Sequence, residues 1–308
     1  MRWEIEDTPE QCGFRDEFRT WLADTLPSGW TEAVDAGDDS RIERVKAAAS
    51  FNPFGWTATI GRSPYAAPLW PKDYGGLSGE TWMQQVIRSE LVRHRLPTVS
   101  VNLLGVGLAG PTIIEHGSEE QKTRYLSKIL TGEEIWCQLF SEPGSGSDLA
   151  SLGTRAVRDG DEWVVNGQKV WTTLAHMAHF GMLLARTDPD VPKHEGLTYF
   201  IIDMHSPGID IRPLRQMTGS EEFNEVFLTD VRVPDANRVG GVGDGWRCAR
   251  TTLMNERTAL AGISLDPVSF LGGTRRDPWR SFVESVPGRN DPLTRQRLAQ
   301  IYIESEVK

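Results

Sequence analysis

The sequence has 308 residues, 39% hydrophobic and 25% charged, with 30 Gly and 18 Pro; this excludes a disordered chain or a collagen-like fibre and allows about two domains with real cores. Acidic residues (43) outnumber basic ones (33), for a formal charge of −10, and no basic cluster interrupts that balance, which argues against a nucleic-acid surface. Three cysteines without a CxxC pair exclude a disulfide framework or Cys-type zinc site, and no run approaches the roughly 18 apolar residues of a membrane helix, so a soluble protein of a reducing cytoplasm is expected.

The first 135 residues read as helix, because apolar residues recur at spacings of three and four. Phe14, Phe18, Trp21 and Leu22 mark one stripe; Trp82, Met83, Val86, Ile87 and Leu91 mark a second, which Pro97 ends. Between them, Glu32, Asp35, Asp38 and Asp39 read as a solvated acidic face. Pro111 suits the first turn of a short helix stopped by Gly117, and Ser118 with Gln121 has the form of a capping box for a helix through Leu130. From about Trp136 the period changes to two. Strands are expected at 134–140, 154–157 and 162–165, with turns at Asp159-Gly160 and Asn166-Gly167, and then at 169–172, 182–186, 197–204, 209–214 and 224–233. Helix returns after the glycine-rich turn at 240–243, from Trp246 to about Ile263, and a last amphipathic run occupies 293–307. The expected class is α+β: an N-terminal helical domain over 1–135, a middle antiparallel β domain over 136–238, and a C-terminal helical bundle over 239–308, incomplete in this chain.

The segment Ser141-Glu142-Pro143-Gly144-Ser145-Gly146-Ser147-Asp148 follows the first strand. Its glycines let backbone approach a phosphate, and successive N–H groups with serine hydroxyls can cradle a pyrophosphate; an ordinary Gly/Ser loop has the same composition. The spacing is that of neither a GxGxxG nor a Walker loop. Val170-Trp171-Thr172-Thr173 closes a later strand, where an indole offers a flat wall to a planar ring and a threonine two residues on shares its face; burial in the core is the alternative for Trp171. A pyrophosphate cradle and a ring wall on neighbouring strands suit FAD. His176 and His179 lie three apart without a third ligand, and the other histidines are isolated, so no metal site is expected; Cys137 reads as core.

Taken in order, Trp70-Pro71-Lys72-Asp73-Tyr74-Gly75-Gly76, Glu119-Glu120-Gln121-Lys122, the 141–148 loop, Asn166-Gly167-Gln168-Lys169-Val170-Trp171-Thr172-Thr173, and Asn224-Glu225-Val226-Phe227 with Asp230-Val231-Arg232-Val233-Pro234 resemble the ordered landmarks of the acyl-CoA dehydrogenases. The resemblance implies FAD-dependent α,β-desaturation of an acyl-CoA thioester, with an electron-transfer flavoprotein as electron acceptor and a homo- or hetero-oligomer, dimer or tetramer. By position it implies Phe140 and Ser141 at the flavin, Gly146 and Ser147 at the pyrophosphate, Trp171 along the isoalloxazine and Thr173 at its N5 edge. It also implies Ser147 on the CoA side and Arg257 near the CoA adenine, a plain surface role being the alternative for Arg257. Removing the α-proton while hydride leaves the β-carbon needs a carboxylate on the far side of the substrate from the flavin. Glu256 matches one family position for that base, on the first long helix after the β domain, as in the isovaleryl-CoA and long-chain branches; its other reading is a surface residue pairing with Arg250 or Arg257. The family's second position, late in the bundle, has no counterpart before Lys308.

Departures accompany the resemblance. Gln138 stands where several members carry an aromatic residue, and 276–292 has no clear Arg-x-x-Phe-Gly segment. The missing bundle helices would leave Leu253, Leu260, Leu298 and Ile301 short of partners. The wording of 136–141 and 223–227 is similar to two-gene actinobacterial members that act on sterol side chains and whose bundle and FAD site a partner chain completes. A noncatalytic or partner-completed subunit of a heteromer, or a related flavin oxidase or monooxygenase, are the alternative functions, and acyl length and branching stay open.

Overall fold

The computed structural model describes residues 7–217, 219–260, 282–283 and 286–306. Helices α1 (Pro9–Thr25), α2 (Trp30–Asp35), α3 (Asp39–Ala48), α4 (Pro53–Gly61), α5 (Thr81–Arg93), α6 (Gly110–His116) and α7 (Glu119–Thr131) come first. Both bonds of the expected capping box form at α7, where Ser118 and Gln121 serve each other's backbone N–H, and Gly132 in the left-handed region ends the helix. The buried stripe of α1, Phe18 and Leu22, joins Trp30, Trp56 and Leu91 in one core. A buried carboxylate ties α1 to α5: Glu90 accepts from Arg15 at 2.7 Å and from Arg19 at 2.9 Å. The acidic run is a partly paired face rather than a merely solvated one, since Asp35 and Asp39 meet Arg93 and Arg95 at 2.8 and 3.2 Å.

The sheet contains β1 (Trp136–Leu139), β2 (Arg155–Asp159), β3 (Glu162–Thr173), β4 (Phe180–Arg186), β5 (Leu197–Asp203), β6 (Ile209–Leu214), β7 (Phe223–Pro234) and β8 (Arg238–Val239). Its order is β6-β7-β3-β2-β4-β5-β8, with β1 beside β4. Two expectations need correction. The sheet is mixed, because β1 runs parallel to β4 from Trp136↔Phe180 to Leu139↔Leu183, and β2 meets β4 in parallel at Arg155↔Arg186. Parallel neighbours need a crossover rather than a hairpin, and here β2 and β3 lie within that crossover. Asn166-Gly167 is also not a turn: β3 runs through it with a register shift against β7. Asn166 exchanges side-chain bonds with Asp230 at 2.9 and 3.0 Å, and a Cβ on Gly167 would lie 2.3 Å from Thr154 Oγ1, so glycine here admits close backbone approach at a bulge.

Alternate residues of β5 face two cores: Tyr199 and Ile201 pack toward the helices with Trp70, Ile129 and Trp136, while Phe200 and Ile202 pack on the other side with Leu139, Val226 and Val231. Helix α8 (Gly245–Leu260) sets Cys248 and Ala249 into the first of these cores. Leu253 packs partly against it, and Leu298 of α9 (Pro292–Glu306) is buried, so neither lacks partners; Ile301 is half exposed. The Leu260 side chain and the end of the expected helix at Ile263 lie outside the described residues.

Candidate functional site at the end of β1 and β3

Two motifs far apart in sequence meet through backbone bonds. Val170 N donates to Ser141 O at 2.9 Å, which fixes the start of the 141–148 loop one residue before Trp171. Lys169, fully buried, donates from Nζ to Phe140 O (3.0 Å), Leu184 O (2.9 Å) and Glu142 Oε1 (2.9 Å). Glu142 in turn accepts from the backbone of Gly153 and Thr154 at 2.6 and 2.9 Å. Burial brings the Lys169 amine down to about 8, with Glu142 pulling the other way. Burial also works against the charge on Glu142, but Lys169, Thr154 and Gly153 outweigh it and hold that carboxyl below its ordinary range, so the pair is ionic at neutral pH. This buried latch clamps the loop to the sheet.

Beyond the latch the loop opens outward. Glu142 and Ser145 exchange backbone bonds at 2.8 and 3.0 Å, and the Ser145 hydroxyl donates to Asp148 O at 2.7 Å. Gly146 and Ser147 are exposed; a Cβ on Gly144 or Gly146 would meet nothing within 4 Å, and among the described residues no acceptor faces the N–H of Gly146 or Ser147. Free N–H groups on an open Ser/Gly bend are what a diphosphate requires.

Trp171 is not a core residue. Its side chain is 61% exposed and its backbone is left-handed, φ 59°, at a bulge where the register jumps from Lys169↔Val226 to Thr172↔Asn224. A bulky residue in that region stores roughly 1–3 kcal/mol of strain, and such strain gathers at functional sites. The bulge is held by fully buried Asn224, which donates from Nδ2 to Thr172 O at 2.9 Å, and Phe223 meets the indole edge-on with centroids 6.0 Å apart. Thr173, partly buried, follows on the same strand end. An outward-held indole, a threonine beside it and an open anion-compatible bend together fit the ring and diphosphate of FAD.

Glu256 comes to this strand end from α8. One helical turn before it, Thr252 is fully buried and bonded to Thr112 (2.8 Å) and Tyr199 (3.2 Å), so Glu256 continues the inward face of the helix. Its Oε2 accepts from Gln138 Nε2 at 3.2 Å; the alternative pairing with Arg250 or Arg257 is not formed among the described residues. Arg257 is exposed. Asn255, next to Glu256, lines a cavity of about 400 Å³ with Trp70, Leu103, Gly107 and Pro111. A second cavity of about 360 Å³ adjoins it, sharing the wall residues Ala66, Gln84, Val99, Ser100 and Val106.

Among the described residues no group of three or more His, Cys, Asp or Glu is placed to hold a metal. His176 bonds Asn224 at 3.1 Å and His179 accepts from Ile135 N at 3.1 Å, as satisfied loop histidines do. Sequence reasoning missed Glu142, Lys169 and Asn224 as individual residues; the available signal was a lysine in the interior of a long strand, which has to be paired if it faces inward.

Residues 8–133 match the family model described as acyl-CoA dehydrogenase, N-terminal domain, and 137–231 match acyl-CoA dehydrogenase, middle domain. Acyl-CoA dehydrogenase IpdE1 of Mycobacterium tuberculosis is 37% identical over 289 residues, covering 94% of this chain and 73% of the relative. The chain belongs to the acyl-CoA dehydrogenase family. Acyl-CoA dehydrogenase FadE34 of the same organism is 56% identical over 197 residues, 63% of this chain, but the match spans only 27% of that relative. Among solved structures, the Tcur3481-Tcur3483 steroid ACAD is similar at TM-score 0.69 and 31% identity, covering 99% of this chain and 74% of the other. The ChsE4-ChsE5 complex from Mycobacterium tuberculosis is similar at TM-score 0.68 and 31% identity, covering 100% and 75%. No helix among the described residues is long and apolar enough to cross a membrane, and all three cysteines are free.

Proposed function

We propose that this acyl-CoA dehydrogenase family chain takes part in FAD-dependent α,β-desaturation of a bulky acyl-CoA thioester. The observation that carries the reading is Trp171, held out of the sheet in a left-handed bulge beside an open Ser/Gly bend. Trp171 would wall the isoalloxazine, Thr173 would serve its N5 edge, Phe140 and Ser141 would border it, and the backbone of Gly146 and Ser147 would hold the diphosphate. FAD held there would supply the two-electron oxidation, as the acceptor for the β-hydride. Glu256 takes the α-proton onto its carboxylate, so that the electron pair left on the α-carbon forms the C=C bond as hydride departs. Ser147 and exposed Arg257 face the CoA portion. The cavity lined by Asn255 and the second one that adjoins it support an acyl group wider than a linear chain, as does the likeness to a steroid ACAD.

Likeness to the ChsE4-ChsE5 complex favours a hetero-oligomer, and an electron-transfer flavoprotein in the cytoplasm accepts the electrons. The test is to purify the chain with its partner and mix it anaerobically with cholanoyl-CoA. A yellow complex that bleaches, and a Glu256→Gln complex that stays yellow while bleaching falls by about 10²- to 10⁴-fold, is the expected result. Undiminished bleaching in Glu256→Gln contradicts the base assignment and favours a noncatalytic subunit, and rapid reoxidation in air favours an oxidase.

A further inference from the structure

We propose that Gln138 is a positioning residue for Glu256, its side-chain amide holding the carboxylate at the end of β1 in the orientation that removes the α-proton. The inference rests on the reading of Glu256 as the base. The hydroxyl chain Thr112–Thr252–Tyr199 fixes the α8 backbone, but a glutamate keeps three side-chain torsions beyond it. Gln138 supplies the fixed point those torsions need. Its neighbours Cys137 and Leu139 are fully buried, β1 is paired along its length with β4, and Asn102 accepts from Trp136 N at 2.9 Å, so the amide stands on a rigid strand.

The geometry also suits the chemistry. An ionised carboxylate only accepts hydrogen bonds, so the amide must present its NH₂ to Oε2, which leaves Oε1 to receive the proton. A neutral amide orients the carboxylate without adding a positive charge, which would weaken it as a base. The bond joins residues 118 positions apart, on the strand that leads into the 141–148 loop and on the helix that lines the larger cavity, so it sets the base relative to both.

The test uses the assembled, FAD-loaded protein with cholanoyl-CoA, comparing Gln138→Met, which keeps length and volume without a donor, with Gln138→His, which restores an N–H, and with Glu256→Gln. The expected result for Gln138→Met is a saturating bleaching rate lower by about 10- to 100-fold, thioester affinity within about twofold of wild type, and unchanged thermal stability. Gln138→His recovers part of the rate. Crystals of ligand-free Gln138→Met show the Glu256 carboxylate displaced from the strand end. A wild-type bleaching rate in Gln138→Met, or a loss explained by weaker binding or lower stability, overturns the inference while leaving Glu256 as base. Wild-type bleaching in Glu256→Gln overturns the underlying reading instead.

Discussion

Trp30 and Trp171 are the same residue under opposite rules. Trp30 is fully buried, donates its indole N–H to His94 O at 2.9 Å and packs against Phe51 with centroids 5.1 Å apart. Its surroundings are complete within the chain. Trp171 sits on a strained backbone, is mostly exposed, and touches one ring edge-on. The helical region uses its aromatic surface to hold itself together, whereas Trp171 and the N–H groups of Gly146 and Ser147 stay exposed, as the proposed flavin site requires. Strain plus exposure, rather than residue type, separates the scaffold from the site.

The largest effect that sharpens this contrast in folding is expected from Trp30→Ala, which should lower stability by about 3–5 kcal/mol in urea unfolding. The FAD affinity of the molecules that remain folded should not change. Lys169→Met breaks the comparison in an informative way, because Lys169 belongs to both rules. It is a scaffold residue by burial and a site residue by what it clamps. Removing it strands Glu142 and the carbonyls of Phe140 and Leu184, and a loss of about 3 kcal/mol is expected, together with weaker FAD binding as the loop loosens. A stability loss with FAD affinity intact would show that the latch does not position the loop.

How much of this could be read from the sequence depends on the distance over which each feature is decided. The capping box at Ser118 and Gln121 and the strand at 209–214 are decided within a few residues and were legible. Asn166-Gly167 carries the composition of a turn, yet it forms a bulge because Thr154 and Asp230 crowd and bind it from other strands. The parallel pairing of β1 with β4 follows from a crossover, which no local pattern records. At the site, the types and order of Phe140 to Ser147 and Trp171 to Thr173 were legible through resemblance, while the exposure of Trp171 was not. The contact between Gln138 and Glu256 was hidden altogether: the first stood only as a departure and the second only as a candidate base.

The most direct measurement is equilibrium binding of FAD to the assembled protein, wild type against Trp171→Ala, with thermal melting of both apo forms. An indole that walls the ring should make the substitution weaken binding by about tenfold or more, while the melting temperature holds, because the indole is mostly exposed and alanine keeps the Cβ that strains the left-handed backbone. Equal affinity in the two proteins would mean that the exposed indole holds no flavin, and the assignment of this strand end would fall.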